Sequence, residues 1–257
     1  MLLAGNRPGR DPLADAFGVP AKALVPLGGE AMLSRVARSL IDYPGIGRII
    51  VLTQDEALLT GQADTAWLAE HPRIMFETGG DSVSGAVAAA VGRHPGLYPF
   101  LIVTADHPLL DAAMLKAFIL PAVAANADIA VALVERKVLE ARYPRNRRTW
   151  LKFRGGAYSG ANLFLLESPR AMPALALWQG IEQQRKKGRA IVAAFGPLML
   201  AGVALRLLSL RAALRLAGKR LGLTALAVPL PIAEACIDVD TPADHQLATE
   251  ILARRGG

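Results

Sequence analysis

One cysteine, few aromatic residues and no long apolar run define this sequence first by what it excludes. Cys236 is the only cysteine in 257 residues, so an internal disulfide and a cysteine-built metal cluster are both ruled out. It stands in an apolar run, where a free thiol behaves as a small buried side chain. A reducing, cytoplasmic setting is expected. Aromatic residues make up 5% of the chain and do not interleave with basic ones. Stacking on nucleobases of single strands has no platform, so no nucleic-acid partner is expected. No stretch reaches the roughly 18 uninterrupted apolar residues that cross a bilayer. The opening MLLAGNRPGR is too polar for a secretory signal and lacks an apolar h-region.

What is present points to a well-filled, cationic domain. Hydrophobic residues are 53% of the chain, enough for a substantial core. The formal net charge of +7 favours acidic partners: nucleotides, phosphorylated metabolites or an anionic surface.

Apolar runs of strand length alternate with helical patterns. Strands are expected at 48–53, 73–78, 98–106 and 128–135, with helices at 31–43, 82–94 and 111–126. This βαβα order predicts an α/β fold with a mostly parallel, doubly wound sheet. Past Glu135 comes a cation-rich stretch at 136–156, then a strand at 157–168. A mostly helical section follows at about 169–222, then strands at 223–230 and 234–240 and a helix at 241–255. Thr241, Pro242 and Asp244 suit the start of that last helix. With no internal repeat or low-complexity linker, one elaborated domain over 1–257 is expected, with a helical insertion at about 169–222.

Ligands of such sheets bind beyond the carboxyl ends of the strands. The opening loop after Leu2 and Leu3 is at that edge. Gly5 and Gly9 let amides approach an anion, and Arg7, Arg10 and Lys22 bring positive charge. Asp106 ends another strand, where a carboxylate suits a hard cation, although capping a turn is an equally ordinary use. Asp238 and Asp240 would share one face of an extended strand. Gly80, Ser82 and Ser84 open a helix where a base or ribose could be read, capping being the plainer reading. Gly160 and Asn162 offer close backbone approach and an amide for a hydroxylated acceptor. In 197–222, Arg206, Arg211, Arg215 and Lys219 recur along one side of an amphipathic segment. Packing on its own domain is the ordinary role; peripheral contact with an anionic membrane is the sharper one.

As a set, Leu3-Ala4-Gly5-Asn6-Arg7 with Lys22 in PAKALVPLGG, then GGEAMLSRVARSL, ADHPLL and DVDTPAD, resemble the MobA-like NTP transferase family. The resemblance implies a Rossmann-like nucleotidyltransferase. It implies that Leu3, Ala4, Gly5 and Asn6 bind nucleotide and that Arg7 and Lys22 stabilise charge in catalysis; Gly80, Ser82 and Ser84 are expected to join the nucleotide site from their place at a helix start. Asp106 and Asp240 would hold Mg2+, and Gly160 and Asn162 would meet the acceptor. The implied reaction moves a nucleotidyl group from an NTP, CTP or GTP, to a phosphorylated small molecule and releases pyrophosphate. The alternatives are a metal-dependent glycosyltransferase using a D-x-D motif, and a non-catalytic nucleotide-binding protein at a membrane. The expected location is cytoplasmic, with the inner membrane face as a site of peripheral contact.

Overall fold

The computed structural model describes residues 1–5, 9–78, 82–146, 148–183 and 195–256. Two units share the chain, and neither is one contiguous stretch. The first comprises Met1–Gly80, Ile102–Leu115 and Ile237–Gly257; the second comprises Asp81–Leu101 and Lys116–Cys236.

In the first unit, β1 (Leu2–Leu3) lies between β4 (Ile49–Thr53) and the end of β6 (Phe100–Thr104). Beyond β4 lies β5 (Ile74–Thr78), and every pair in the order β5-β4-β1-β6 is parallel. The run Ile-Ile-Val-Leu-Thr of β4 is buried throughout, as a strand paired on both edges and covered on both faces requires. Helix α2 (Met32–Asp42) buries Met32, Leu33, Val36, Ala37 and Leu40, one stripe at helical spacing. Short helices α1 (Pro12–Ala16), α3 (Glu56–Thr60) and α4 (Trp67–Glu70) complete the amino-terminal part, and α6 (Ala112–Ala124) leads out of it. A small hairpin joins β2 (Pro26–Leu27) to β3 (Glu30–Ala31). Its loop residues Gly28 and Gly29 have φ of +62° and +91°, the left-handed region that a two-residue hairpin turn demands. This hairpin was not expected from the sequence.

The last helix of the first unit (Pro242–Gly256) begins as its sequence suggests. The Thr241 hydroxyl donates to Asp244 Oδ2 at 2.7 Å and accepts from the Asp244 N–H at 3.2 Å, a closed cap. The expected strand at 234–240 is corrected. Ala233–Cys236 form a 3-10 turn and 237–240 join no ladder. The Val239 N–H is taken by the Asp106 carbonyl at 2.9 Å, so this segment is tied to the end of β6 instead of a neighbouring strand.

In the second unit, β7 (Ile129–Glu135) pairs in parallel with β10 (Ala225–Leu230) and antiparallel with β9 (Gly156–Leu166). Strand β8 (Leu151–Phe153) turns back on β9, so part of the cation-rich stretch is a hairpin. The sheet architecture is thus mixed and mostly parallel. Around it are α5 (Val83–Arg93), α7 (Arg136–Arg142) and α8 (Met172–Gln183), followed by α9 (Pro197–Ala204) and α10 (Leu210–Leu221). The last three lie in the helical section expected at 169–222. Helix α10 approaches β10 closely because residue 218 is glycine: a Cβ there would lie 2.5 Å from the Leu223 carbonyl oxygen.

Candidate active site

The end of β1 builds the site. The Ala4 N–H donates to the Leu52 carbonyl and the Ala105 N–H to the Leu3 carbonyl, both at 2.9 Å. These bonds carry the ladder one residue past each strand, so Gly5 and Asp106 leave the sheet side by side. Here the strand order reverses: β4 and β5 lie on one side of β1 and β6 on the other. The carboxyl edge of such a switch point is where open α/β sheets bind ligands. Leu3 is partly buried and Ala4 buried, so their contribution there is backbone. A Cβ on Gly5 would stand 3.0 Å from the Gln54 amide, so the loop passes tightly over the end of β4. Nothing in the sequence singled out Gln54; its only signal is its place directly after a strand. Asn6, Arg7 and Gly80 lie outside the described residues.

Lys22 opens a 3-10 turn whose neighbours Ala21, Ala23 and Leu24 are buried and pin it in place. Its Nζ donates to Asp106 Oδ2 at 2.7 Å and also to Asp240 Oδ1. The Thr104 hydroxyl donates to the other Asp106 oxygen at 2.5 Å. The Val239–Asp106 backbone bond brings Asp240 within reach of the same ammonium. Lys22, Asp106 and Asp240, together with Gly5, therefore meet at one sheet edge of the first unit.

Burial alone would lower the Lys22 pKa. The two carboxylates outweigh it, and the ammonium is held above the ordinary lysine value. Burial would likewise raise Asp106, but the charge and hydrogen bond of Lys22, with help from Thr104, hold it below the usual carboxylate range. Lys22 and Asp106 are therefore both charged at neutral pH.

The second unit holds the other expected residues. Ser82 caps α5, its hydroxyl accepting the Gly85 N–H at 3.1 Å. Ser84 is fully buried, and both its N–H and its hydroxyl donate to the Glu182 carboxylate. Both serines thus serve the start of α5. Gly160 is exposed with open space where a Cβ would stand. Asn162 has φ of +51° at the point where the β7–β9 register shifts, a bulge of the kind that re-aims side chains. Asparagine tolerates that backbone better than most residues.

The donor set fits a magnesium ion in part. Two carboxylates converge on one point, and magnesium is commonly held by one or two carboxylates together with phosphate oxygens. Among the described residues no group of three or more His, Cys, Asp or Glu side chains converges, so the protein by itself does not build a cage.

No curated protein matches this sequence. Among solved structures, the chain is similar to a hypothetical transferase from Thermus thermophilus, with 28% identity and a TM-score of 0.74 over 95% of this chain and 98% of that one. It is also similar in fold to a CMP:2-keto-3-deoxy-manno-octonic acid synthetase complexed with CTP, at 12% identity and a TM-score of 0.59, covering 99% and 98% of the two chains. A third neighbour is 4-diphosphocytidyl-2C-methyl-D-erythritol synthase from Anaerococcus prevotii, at 10% identity and a TM-score of 0.57, covering 99% and 96%. The model of the MobA-like NTP transferase domain matches residues 2–198, most of the chain and all of the Gly5–Lys22–Asp106 edge, and the chain belongs to that family.

Proposed function

We propose that this nucleotidyltransferase moves a nucleotidyl group from CTP or GTP to a phosphorylated small-molecule acceptor and releases pyrophosphate. The observation that carries the reading is the Lys22 ammonium held between Asp106 and Asp240 at the switch point of a parallel sheet. Support for a cytidine nucleotide comes from the names of the two low-identity neighbours, which carry CTP and a diphosphocytidyl group. The acceptor's phosphate is already ionised near pH 7, so no general base is needed. One of its oxygens attacks the α-phosphorus. A new P–O bond forms while the bond from the α-phosphorus to the bridging oxygen breaks, and its electron pair leaves with pyrophosphate.

The chain's part is positioning and charge neutralisation. Gly5, the first residue past the β1 ladder, would let backbone come close to the triphosphate. Lys22 would exchange a carboxylate for a phosphate oxygen and neutralise charge as pyrophosphate departs. Asp106 and Asp240 would hold Mg2+, which supplies further neutralisation of the phosphates when bound. Loss of the Lys22 cation should cost two to three decades in turnover, the scale of one stabilising donor, roughly 3–4 kcal/mol.

The test is thermal unfolding with each of the four NTPs, with and without Mg2+. A ligand at about a hundred times its Kd adds roughly 2.7 kcal/mol. For a chain of this size that is a shift of roughly 5–10 °C. CTP or GTP with Mg2+ should give it, and Lys22→Ala or Asp106→Asn should remove it. A shift by sugar nucleotides and none by NTPs would turn the reading to a glycosyltransferase.

A further inference from the structure

The second unit carries cations that have no acidic counterpart. Arg206, Arg211, Arg215, Lys219 and Arg220 are all exposed, and among the described residues none of the five is in an ion pair. Several arginines elsewhere are paired: Arg35 with Glu30, Arg136 with Glu140, Arg142 with Glu234 and Arg255 with Asp111. The cause is written in the sequence, which has no aspartate or glutamate anywhere from 183 to 233. Such a span repels other cations and attracts a surface rich in negative charge.

Charge is half of the feature. The turn between α9 and α10 places Leu205 and Leu207 on either side of Arg206, which has φ of +56°. These leucines are 69% and 61% exposed, more than any other large apolar residue described. Next to them is a cavity of ≈ 680 Å³ whose walls include Met199, Leu207, Leu208 and Leu216, with Lys219 and Arg220 beside them. An apolar corner ringed by unpaired cations matches a partner whose surface is anionic and whose interior is apolar.

We propose that this corner docks on an anionic lipid bilayer, Leu205 and Leu207 entering the headgroup boundary while the five cations lie against lipid phosphates. The docking element differs from the amphipathic stripe read in the sequence. Helix α10 buries Leu210, Ala213 and Ala217 within its own unit, so most of its apolar stripe is already covered, Leu216 at the cavity being the exception. What remains outward is its cationic side and the turn that precedes it. Duplex nucleic acid would satisfy the cations but has no use for two exposed leucines.

The experiment is flotation of the full chain with vesicles of phosphatidylcholine alone and with vesicles containing about a third phosphatidylglycerol. At least tenfold more protein should float with the anionic vesicles, and the fraction should fall as salt is raised, because exposed charges are screened. Leu205→Ser/Leu207→Ser should lose about tenfold in vesicle affinity with an unchanged melting temperature. Arg211→Gln/Arg215→Gln/Lys219→Gln should lose the preference for anionic vesicles. Equal flotation on both vesicle types would overturn the proposal, and so would full binding by the leucine variant. Binding of a DNA duplex at salt that strips the protein from vesicles would replace it with a nucleic-acid reading. The wild-type arms stand even if a variant fails to fold.

Discussion

Lys22 Nζ donates to Asp106 Oδ2 at 2.7 Å, a contact between residues far apart in the chain that Asp240 joins from a third segment. The ammonium does two jobs in the unliganded protein: it keeps two like charges together and it occupies the point where they converge. Lys22→Met should therefore destabilise the fold, by about 1–3 kcal/mol, because a part-buried carboxylate loses its partner. Adding Asp240→Asn should recover part of that loss by removing the repulsion. Urea unfolding of the two variants and wild type closes the comparison; simple additivity would show that the three groups do not act together.

Asp128 gives a pH dependence of definite sign. Its carboxylate accepts the Thr224 N–H at 2.7 Å, the Thr224 hydroxyl at 2.8 Å and the Ser168 hydroxyl at 3.2 Å. The backbone bond from Thr224 is the largest influence on its pKa. Together with the two hydroxyls and the nearby Arg170 it outweighs burial and holds the pKa below the usual carboxylate value. A lowered pKa stabilises the fold above the unfolded value of about 3.9 and stops doing so as pH falls through the folded one. Asp128→Ala should cost about 1–3 kcal/mol near neutral pH. The gap between variant and wild type should stay constant down to about pH 5 and narrow below it, as denaturant midpoints across that range will show.

Two glycines should respond oppositely to alanine. At Gly218 the new methyl would meet the Leu223 carbonyl oxygen at 2.5 Å, between backbone segments with no flexible end to yield. A loss of about 1–3 kcal/mol is expected, the range for overpacking. At Gly160 the methyl meets open space. Its effect on stability should be within about 0.5 kcal/mol. Melting temperatures of the two purified variants measure the contrast.

The Tyr143 hydroxyl donates to Glu234 Oε1 at 2.6 Å, and Arg142 Nε lies 3.1 Å from the same oxygen. Glu234 is almost wholly buried, so its carboxylate relies on these partners in place of water. Tyr143→Phe removes one of them without changing shape. It should cost about 1.5–3 kcal/mol, the range for a hydrogen bond to a charged group. Tyr143→Phe combined with Glu234→Gln should cost less than the two changes summed, a coupling that a double-mutant cycle reads directly.

The parts legible in the sequence were those with periodicity. Fully apolar β4, the one-sided stripe of α2 and the cap of the last helix all carry their geometry in local residue order. The meeting of Lys22, Asp106 and Asp240 has no local pattern, because strand order and a single backbone bond from Val239 create it; the family resemblance supplied the pairing. The missed strand has an equally local cause. Residues 234–240 look like a strand, but the Val239 amide is captured by Asp106 before a ladder can form. Ser82 and Ser84, expected to face a nucleotide, are also tied to the start of their helix and to Glu182, contacts with no long-range signal in the sequence. Gln54 lies against Gly5, a neighbour that β-pairing alone provides.

The hydrogen bond from Val239 to Asp106 sets a condition on when these three charges come together. Until that late segment reaches the rim of the early sheet, the lysine has one carboxylate and no second one. A chain lacking residue 240 lacks the carboxylate that shares the Lys22 ammonium with Asp106. The three charged groups come from three separate segments, so their meeting marks the completed folding of the first unit.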